Sequence, residues 1–410
     1  MHNGKLSRLI SGTVLSLITA ISKYLPYWKE TSFVEIAPPL LSVRVNLPVN
    51  NEMLPGNLRQ KFIAVKSIPS RRIFILKNVC VNGQAVVFKN MRIFIPSLPW
   101  IRDIDLFRTG NIFIQQWKKN LVKHNSLKNA ALVYDDWSAA NYYHWMIESL
   151  PRLLLVQKKF PGFVLIVPQP SPEYITTTIA LLNFTVLYPL NRHAATVIKV
   201  QNLVLPELVY YEEKEEDVIV QDNKLAGIEL PQQPAAATFN YKEAELIITV
   251  QKKLLITQYR KPAVPVKRIY ISRSQQKSRR LLNEPELLPC LTKYGFEVKH
   301  FEGMKFLEQM DLLFNTAVFI SVHGSNMVNI LFMQKGSKVI ELMNENYLND
   351  AYYLLSSTLQ LSYYAVPCKM ADTSIDLSGD TVKINDADLL ADIAALEQII
   401  KIAIEVVPGL

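Results

Sequence analysis

The stretch VFISVHGSNMVNILFMQKGSKVIEL, residues 318–342, decides the fold of the second half of the chain. It holds two strand-like runs, 318–322 and 338–342, with a glycine-containing turn and a helical segment between them. Mostly apolar runs of this length are typical of buried strands, and strand, helix, strand is the pattern of a parallel βαβ unit. Two further runs, 268–272 and 296–299, precede it, again with helical segments between them. The sequence therefore predicts a doubly wound parallel sheet, an α/β fold.

The first half of the chain begins with a different pattern. Residues 33–122 carry short strand-like runs separated by turn residues, and the Asn-Gly pair at 82–83 signals a hairpin. A buried-strand run at 131–134, a helical stretch at 141–160 and another strand run at 163–167 follow. We therefore expect a β-rich beginning and then a second Rossmann-like part.

These patterns divide the chain into four parts. We expect an amphipathic helix over residues 1–30, a first domain over 31–258 and a second domain over 259–385. A final amphipathic helix is expected over 386–410, because apolar residues between Leu389 and Ala403 recur at spacings of three and four.

Residues 1–30 bear on the question of membranes. Their apolar residues fall on one helical stripe beside lysines and arginines, followed by Tyr24, Tyr27 and Trp28. The apolar part is too short and too rich in serine and threonine for a transmembrane helix of ~20 residues. Two interpretations stay open. The helix could lie on an anionic membrane surface, at the inner face of the cytoplasmic membrane, or it could pack on its own domain.

Composition narrows the function classes. The 410 residues are 49% hydrophobic, enough for packed domains, and 45 Lys and Arg against 36 Asp and Glu give a net charge of +9. This charge favours an anionic partner: a phosphorylated substrate, a membrane surface or nucleic acid. Nucleic acid is the least favoured, because the basic residues do not interleave with aromatic residues along one face. Three widely spaced cysteines indicate neither a disulfide framework nor a structural metal site, and they fit a reducing, cytoplasmic compartment.

Polar residues follow the strands of the predicted parallel sheet, where such folds bind their ligands. Gly324 would let the backbone approach a phosphate, Arg273 could bind phosphate oxygens with two N–H groups, and Glu341 could accept hydrogen bonds from ribose hydroxyls. Each also has an ordinary interpretation: a turn, a solvated loop or a salt bridge. The candidates for a nucleotide diphosphate site are Arg273, Ser274 and Arg280 after the first strand, His323, Gly324, Ser325 and Asn326 after the third, and Glu341 within the fourth.

The segment NYYHWMIESLPRL, residues 141–153, is the densest cluster of chemical groups in the first half. Asn141, His144 and Glu148 are three and four residues apart, so on a helix they share a face. A glutamate one turn from a histidine can fix the tautomer of the ring and raise its basicity, which suits a general base. The alternative, an ion pair on a helix surface with aromatic packing beneath, stays open. Pro151 is expected to kink or break the helix.

Three motifs together resemble glycosyltransferase family 61, which includes bacterial capsular and exopolysaccharide enzymes. They are residues 141–153, the YISR sequence at 270–273 and residues 322–342, and the similarity covers about residues 131–342. The chain departs from the family at 323–326, where members often have His-Gly-Ala-Gly and this chain has HGSN. The resemblance implies a GT-B fold, in which two Rossmann-like domains face each other across a cleft. The final helix would then cross back onto the first domain.

The resemblance also implies an inverting, metal-independent glycosyltransferase that needs no cofactor. The second domain would bind the nucleotide sugar, and the first domain would bind a glycan or lipid-linked acceptor during synthesis of a bacterial surface polysaccharide such as a capsule. The residues with implied roles are, as the base, His144 or else Glu148 or Asp136; on the acceptor side, Asn141 and Arg152; and at the leaving diphosphate, Arg273 and the His323-Gly324 turn.

Two other classes of function stay open on the residues alone. The fold could serve a nucleotide-sugar epimerase or hydrolase, since similar two-domain folds host several chemistries. It could also belong to a non-catalytic assembly component of a polysaccharide machine, if the cluster at 141–153 only packs. The sequence has neither a Gly-x-Gly-x-x-Gly nor a Walker motif, which argues against dinucleotide oxidoreduction and ATP hydrolysis.

Overall fold

The computed structural model describes residues 27–28, 33–37, 40–68, 71–90, 92–98, 126–192, 196–207, 244–258, 264–377 and 381–405. The predicted amphipathic helix at residues 1–30 lies outside these ranges apart from Tyr27–Trp28, which form a short strand. Within the described ranges, no helix is both long enough and apolar enough to cross a membrane.

Strands and short helices alternate along these ranges. The strands, numbered in chain order, are β1 (Tyr27–Trp28), β2 (Phe33–Ala37), β3 (Leu40–Arg44), β4 (Val65–Ile68), β5 (Arg71–Asn82), β6 (Val87–Lys89), β7 (Arg92–Phe94), β8 (Ser126–Leu132), β9 (Val164–Gln169), β10 (Leu187–Asn191), β11 (Val197–Pro206), β12 (Lys267–Ile271), β13 (Glu297–Lys299), β14 (Thr316–Val322), β15 (Lys338–Asn344), β16 (Ser362–Met370) and β17 (Leu389–Leu390). The α-helices are Gly56–Arg59, Tyr142–His144, Leu150–Lys159, Glu173–Leu181, Ala244–Gln258, Glu284–Lys293, Phe306–Phe314, Ala351–Thr358, Thr381–Asp386 and Ile393–Glu405. A π-helix spans Trp145–Ser149, and 3-10 helices span Asn51–Met53, Ile95–Ser97 and Ser325–Phe332.

The chain divides into two compact units, the first within residues 1–39 and 69–231 and the second within 40–68 and 232–410. Each unit contains one large sheet together with helices, so the predicted α/β class is confirmed. The predicted first domain loses two segments to the second unit: residues 40–68 and the helix Ala244–Gln258.

The first unit is built on a mixed sheet with the strand order β1-β7-β6-β5-β11-β8-β9-β10 and β2 paired to β5. Strands β11, β8, β9 and β10 run parallel, whereas β5 pairs antiparallel with β2, β6 and β11. The predicted hairpin joins β5 to β6, and the side chain of Asn82 stabilises its turn by accepting from the N–H of Val86 at 2.9 Å. Strand β8, the helical stretch after it and β9 form the predicted parallel βαβ unit.

The second unit contains the predicted parallel sheet. Its strand order is β13-β12-β14-β15-β16-β17, and all neighbours run parallel except the short edge strand β17. The four strands from β12 to β15 correspond to the four predicted runs. The sheet continues with strand β16, which follows the helix Ala351–Thr358, in a stretch where the sequence patterns predict no element.

Helices cover both faces of this second sheet. Alternate strand residues, such as Tyr270, Ile320 and Tyr364, pack with the helices Glu284–Lys293 and Ile393–Glu405 in one apolar core. The opposite face contacts the helices Phe306–Phe314 and Ala351–Thr358, and the 3-10 helix Ser325–Phe332 packs on these two helices. The sheet is therefore doubly wound, as predicted.

The C-terminal helix differs from its prediction in extent and placement. It begins at Ile393 rather than at residue 386, and Leu389, expected on its stripe, lies in β17. Its apolar stripe, from Leu396 to Ala403, is buried in the core of the second unit. This helix is expected to cross back onto the first domain. Its apolar stripe instead packs against β16 and the neighbouring helix Glu284–Lys293.

Residues 40–68 cover the outer edge of β16. The N–H of Val49 donates to the carbonyl of Tyr363 at 2.8 Å. The buried side chain of Asn50 donates to the carbonyl of Ala365 (2.7 Å) and accepts from its N–H (3.0 Å). Strand β17 pairs with β16 only at residues 369–370. Residues 49–50 therefore satisfy backbone groups that an uncovered sheet edge would leave unpaired.

Candidate functional site

The strand ends of the second unit bring Arg273 beside Gly324. Arg273 follows β12, and its side chain donates from Nε to the carbonyl of Arg279 (3.2 Å) and from Nη2 to the carbonyl of Ser278 (3.3 Å). Gly324 follows β14, the parallel neighbour of β12. The carboxyl ends of parallel strands meet at one edge of a sheet, and the predicted proximity of these two residues is confirmed.

The contact between these two residues requires the glycine. A Cβ at position 324 would overlap Nη1 of Arg273 and would lie 2.9 Å from its Cζ. The carbonyl of Gly324 also accepts a hydrogen bond from the hydroxyl of Tyr352 at 2.6 Å. The backbone here is extended, so the missing side chain, and not an unusual conformation, is what the site uses. Gly324 thus lets the guanidinium lie against the backbone.

The positively charged guanidinium of Arg273 is buried. The side chain is largely buried, with 6% of the residue exposed. Burial, followed by the positive charge of Arg279, lowers the pKa of Arg273 to about 10, so the group remains a cation at neutral pH. Two guanidiniums in one loop repel each other, and an anion bound between them would relieve that repulsion. The cluster suits a ligand with phosphate groups.

His323 forms a hydrogen-bonded chain with two buried residues. Its Nδ1 lies 2.5 Å from Oε1 of Glu341, and Oε2 of Glu341 accepts from the hydroxyl of Tyr363 at 2.7 Å. Glu341 has no exposed surface, whereas the His323 side chain is 12% exposed. Glu341 is expected from the sequence to bind ribose hydroxyls. Its carboxylate instead contacts His323 and Tyr363 within the second unit.

The other predicted residues that follow these strands differ in position: some lie beside Arg273 and Gly324, and one only stabilises the fold. Ser274 accepts a hydrogen bond from Ser272 at 2.9 Å, inside the loop that carries Arg273. Arg280, predicted to bind the donor, instead pairs with Asp388 through Nη2 and Nε at 2.6 and 3.1 Å and so ties the loop to the start of β17. Ser325 and Asn326, both partly exposed, begin the 3-10 helix after Gly324.

The first unit confirms the proximity of His144 and Glu148. Nδ1 of His144 and Oε1 of Glu148 are 2.7 Å apart, and both residues are buried, with 8% and 5% of their surface exposed. The predicted alternative, an ion pair on a helix surface, does not hold for a pair this buried. Asn141 has a different task from the one predicted, because its side chain caps the helix by accepting from the N–H of Tyr143 at 2.9 Å.

A π-helix carries this pair. The helical stretch passes from Tyr142–His144 through the π-helix Trp145–Ser149 into Leu150–Lys159, so Pro151 does not end it. Proline has no N–H, and the wider turn before it accommodates that loss. Such π-turns often lie at functional sites.

Arg152 and the acidic pair at 135–136 have structural partners. Arg152, predicted on the acceptor side, is buried, donates from Nε to the carbonyl of Glu148 (3.0 Å) and contacts the carboxylate of Asp135 at 3.4 Å. Asp136, one of the two alternative candidates for the base, lies 3.4 Å from Nη2 of Arg192. Arg152 therefore binds the backbone of Glu148 and lies buried within the first unit.

The environment of His144 favours its cationic form. Burial alone would lower the pKa of the imidazole, but the charge and hydrogen bond of Glu148 act in the opposite direction, and the pKa is raised overall. A histidine in this setting is a stronger base than usual and has its ring orientation fixed.

Arg279 lies in the basic loop that follows β12, next to the predicted Arg280. Two further contributors to the second-unit cluster, Tyr352 and Tyr363, have no signal in the sequence, because they lie in the stretch without predicted elements. Only the three-dimensional contacts identify them. Among the residues that the structure describes, no group of three His, Cys, Asp or Glu side chains could hold a metal ion.

Comparisons with known proteins point to one family. Residues 142–340 match the family model described as Glycosyltransferase 61. The chain is similar to the EGF domain-specific O-linked N-acetylglucosamine transferase of Drosophila melanogaster, 33% identical over 89 residues, which is 21% of this chain and 17% of the relative. It is similar to the rat protein of the same name, 31% identical over 102 residues (24% and 19%). A third relative is the Protein O-linked-mannose beta-1,4-N-acetylglucosaminyltransferase 2 of Canis lupus familiaris, 33% identical over 97 residues (23% and 16%).

Each similarity spans less than a fifth of the relative's length. The family match, in contrast, runs from the residue after Asn141 to the middle of β15, and it ends just before Glu341. It contains the His144–Glu148 pair of the first unit and the Arg273–Gly324 contact of the second. Residues 142–340 of this chain are therefore a glycosyltransferase 61 domain, as the three sequence motifs predict.

Proposed function

We propose that this protein is a glycosyltransferase that moves a sugar from a nucleotide diphosphate to an acceptor hydroxyl. The observation that carries the proposal is the packing of the buried Arg273 guanidinium against Gly324 at the carboxyl edge of a parallel sheet. Ligands of such sheets bind at this edge, and a buried guanidinium there suits a diphosphate. The family match and the names of the relatives support the same class of reaction.

The proposed chemistry is a single displacement at the anomeric carbon. His144 takes the proton of the acceptor hydroxyl while that oxygen forms a bond to the sugar. The bond from the sugar to the diphosphate breaks, and its electron pair leaves with the phosphate oxygen. Arg273 and the 323–324 turn stabilise the negative charge that develops there, without a metal ion. A single displacement inverts the configuration at the anomeric carbon.

The first sugar to test is N-acetylglucosamine. Both kinds of relative carry that sugar in their names, one acting on EGF domains and the other on O-linked mannose by name. N-acetylglucosamine linked to a nucleoside diphosphate is therefore the leading donor. For the acceptor we propose a glycan hydroxyl, and the capsule-type polysaccharide that the motifs suggest is the first to compare with O-mannose and protein acceptors. In the GT-B arrangement, the second unit would bind the donor and the first the acceptor.

A panel of nucleotide sugars tests this proposal. Each is added to the full chain, and protection against thermal unfolding is measured; a ligand at ~100 times its dissociation constant adds ~2.7 kcal/mol. The donor that protects is then incubated with acceptors, and the anomeric configuration of the product is determined. We expect one preferred donor and an inverted product. Product formed without any acceptor would indicate an epimerase or hydrolase, and no protection by any donor would favour a non-catalytic role.

A further inference from the structure

The hydrogen-bonded chain from His323 through Glu341 to Tyr363 fixes the histidine from inside the protein. Glu341 is fully buried. One of its carboxylate oxygens is hydrogen-bonded to His323 and the other to Tyr363. A buried carboxylate accepts hydrogen bonds and gains from an opposite charge. Its neighbours therefore donate to it: Tyr363 through its hydroxyl and His323 through Nδ1–H.

Tyr363 is itself held in place by the segment 40–68. Its ring packs against those of Phe62 and Tyr353, with centroids 6.4 and 6.0 Å apart, and its carbonyl accepts from the N–H of Val49 at 2.8 Å. Burial, and next the charge of Glu341, raise the pKa of Tyr363 well above its ordinary value, so its hydroxyl stays protonated and can only be a donor to the carboxylate. The Tyr363 end of the hydrogen-bonded chain is thus held in place.

We propose that Glu341 and Tyr363 are positioning residues of the donor site, which hold His323 with Nδ1–H on Glu341 and Nε2 turned to the leaving diphosphate. This inference rests on the proposed function. With Nδ1 engaged, Nε2 is the ring nitrogen that remains for a ligand, and the His323 side chain retains exposed surface. The negative charge of Glu341 complements an imidazolium, in which Nε2–H donates to the phosphate oxygen as the bond from the sugar breaks.

The geometry explains why an acid lies within a strand that is otherwise apolar. Gly324, next to His323, contacts Arg273, and Tyr352 binds the Gly324 carbonyl and packs its ring 5.2 Å from that of His323. The guanidinium of Arg273 therefore lies against Gly324, the residue next to His323. Glu341 acts beneath this turn as the charge that orients the imidazole toward the anion.

Kinetics of matched variants test the proposal. Glu341→Gln keeps the shape of the side chain but removes its charge, and it allows either tautomer of His323. A hydrogen bond to a charged group is worth about 1.5–3 kcal/mol, so we expect kcat with the preferred donor to fall about 10- to 100-fold. Tyr363→Phe should lower kcat about 2- to 10-fold. The donor KM should change less than kcat, because the interaction strengthens as the phosphate gains charge.

The control is the next residue of β16. Tyr364 is as buried as Tyr363, but its hydroxyl has no hydrogen-bond partner, so Tyr364→Phe should leave kcat unchanged. An unchanged kcat in Glu341→Gln, or equal effects of Tyr363→Phe and Tyr364→Phe, would overturn the proposal.

A second readout needs no substrate. The ring nitrogens of His323 are observed by 15N NMR of the full chain with labelled histidine, and His323→Gln assigns the signal among the six histidines. We expect Nδ1 to be protonated in the wild type and a mixture of tautomers in Glu341→Gln. A neutral His323 protonated only at Nε2 would overturn the proposal. If the expected tautomer is found but no nucleotide sugar reacts, the proposed function fails and the hydrogen-bonded chain stands.

Discussion

At the scale of single residues, the Arg273–Gly324 contact determines whether the site can bind a diphosphate. Gly324→Ala would push the new Cβ into the guanidinium. Overpacking of this kind costs about 1–3 kcal/mol, so we expect the dissociation constant of the preferred nucleotide sugar to rise about tenfold or more by calorimetry. Gly56→Ala is the matched control, because nothing lies within 4 Å of the added Cβ. Equal affinities of the two variants would contradict the assignment.

The His144–Glu148 pair gives a prediction about pH. A general base acts in its neutral form, and Glu148 raises the pKa of His144. The value of kcat/KM should therefore rise with pH through a midpoint above about 6.5, the ordinary histidine value. Glu148→Gln removes the charge, so the midpoint should move to lower pH and the plateau should fall. Exposed Glu173→Gln serves as the control. A profile in which Glu148→Gln leaves the midpoint in place would exclude His144 as the base.

The sequence predicts contacts that depend on the spacing of residues along a helix. It does not predict whether a polar side chain faces a ligand or a buried partner. The four-residue spacing of His144 and Glu148 puts them on one helical face, and they do meet. Glu341 and Arg152 look the same in the sequence whether they face a ligand or a buried partner. Their burial decides the matter, and that depends on neighbours far away along the chain.

At the scale of elements, the segment 40–68 is joined to strand β16 of the second unit by hydrogen bonds from Val49 and Asn50. Asn50→Ala would remove both hydrogen bonds to the backbone of Ala365. Leaving buried backbone groups unpaired costs about 1–3 kcal/mol each, so the edge of β16 should open more easily. We expect hydrogen exchange of the peptide 362–370 to become at least about tenfold faster. Asn57→Ala, at an exposed position of the same segment, should leave that exchange as in the wild type.

Local patterns predicted the strands and helices of the second sheet but not their partners. Strands β12, β14 and β15 are short apolar runs between turns, which the pattern identifies directly. The pairing of Asn50 with Ala365 spans 315 residues and has no local signal. The π-helix was also missed, because Pro151 predicts a break while the preceding turn can widen instead.

At the scale of the whole molecule, the proposed reaction relies on arginine and histidine rather than on a metal ion. Saturating EDTA should therefore leave the transfer rate with the preferred donor within about twofold of the untreated rate, since the guanidinium supplies the charge that a cation supplies elsewhere. The same assay with added Mg²⁺ or Mn²⁺ is the comparison. Loss of activity in EDTA that either ion restores would contradict a metal-independent mechanism.

The division into units shows the limit of sequence reasoning at this scale. Composition and the order of elements predict two α/β parts, and two units are found. The chain crosses between them more than once, since residues 40–68 leave the first unit and join the second. A boundary drawn along the sequence assumes contiguous domains, so it could not place this segment.

The central claim is that the chain transfers a sugar from a nucleotide diphosphate bound through Arg273. The most direct test measures the initial rate at which labelled sugar from the preferred donor appears on the acceptor, together with release of the nucleoside diphosphate, in wild type, Arg273→Ala and exposed Arg59→Ala. We predict one diphosphate released per sugar transferred, a loss of about 100-fold or more in kcat/KM for Arg273→Ala, and none for Arg59→Ala. Transfer by Arg273→Ala at the wild-type rate, or diphosphate release without any glycosylated product, would contradict the claim.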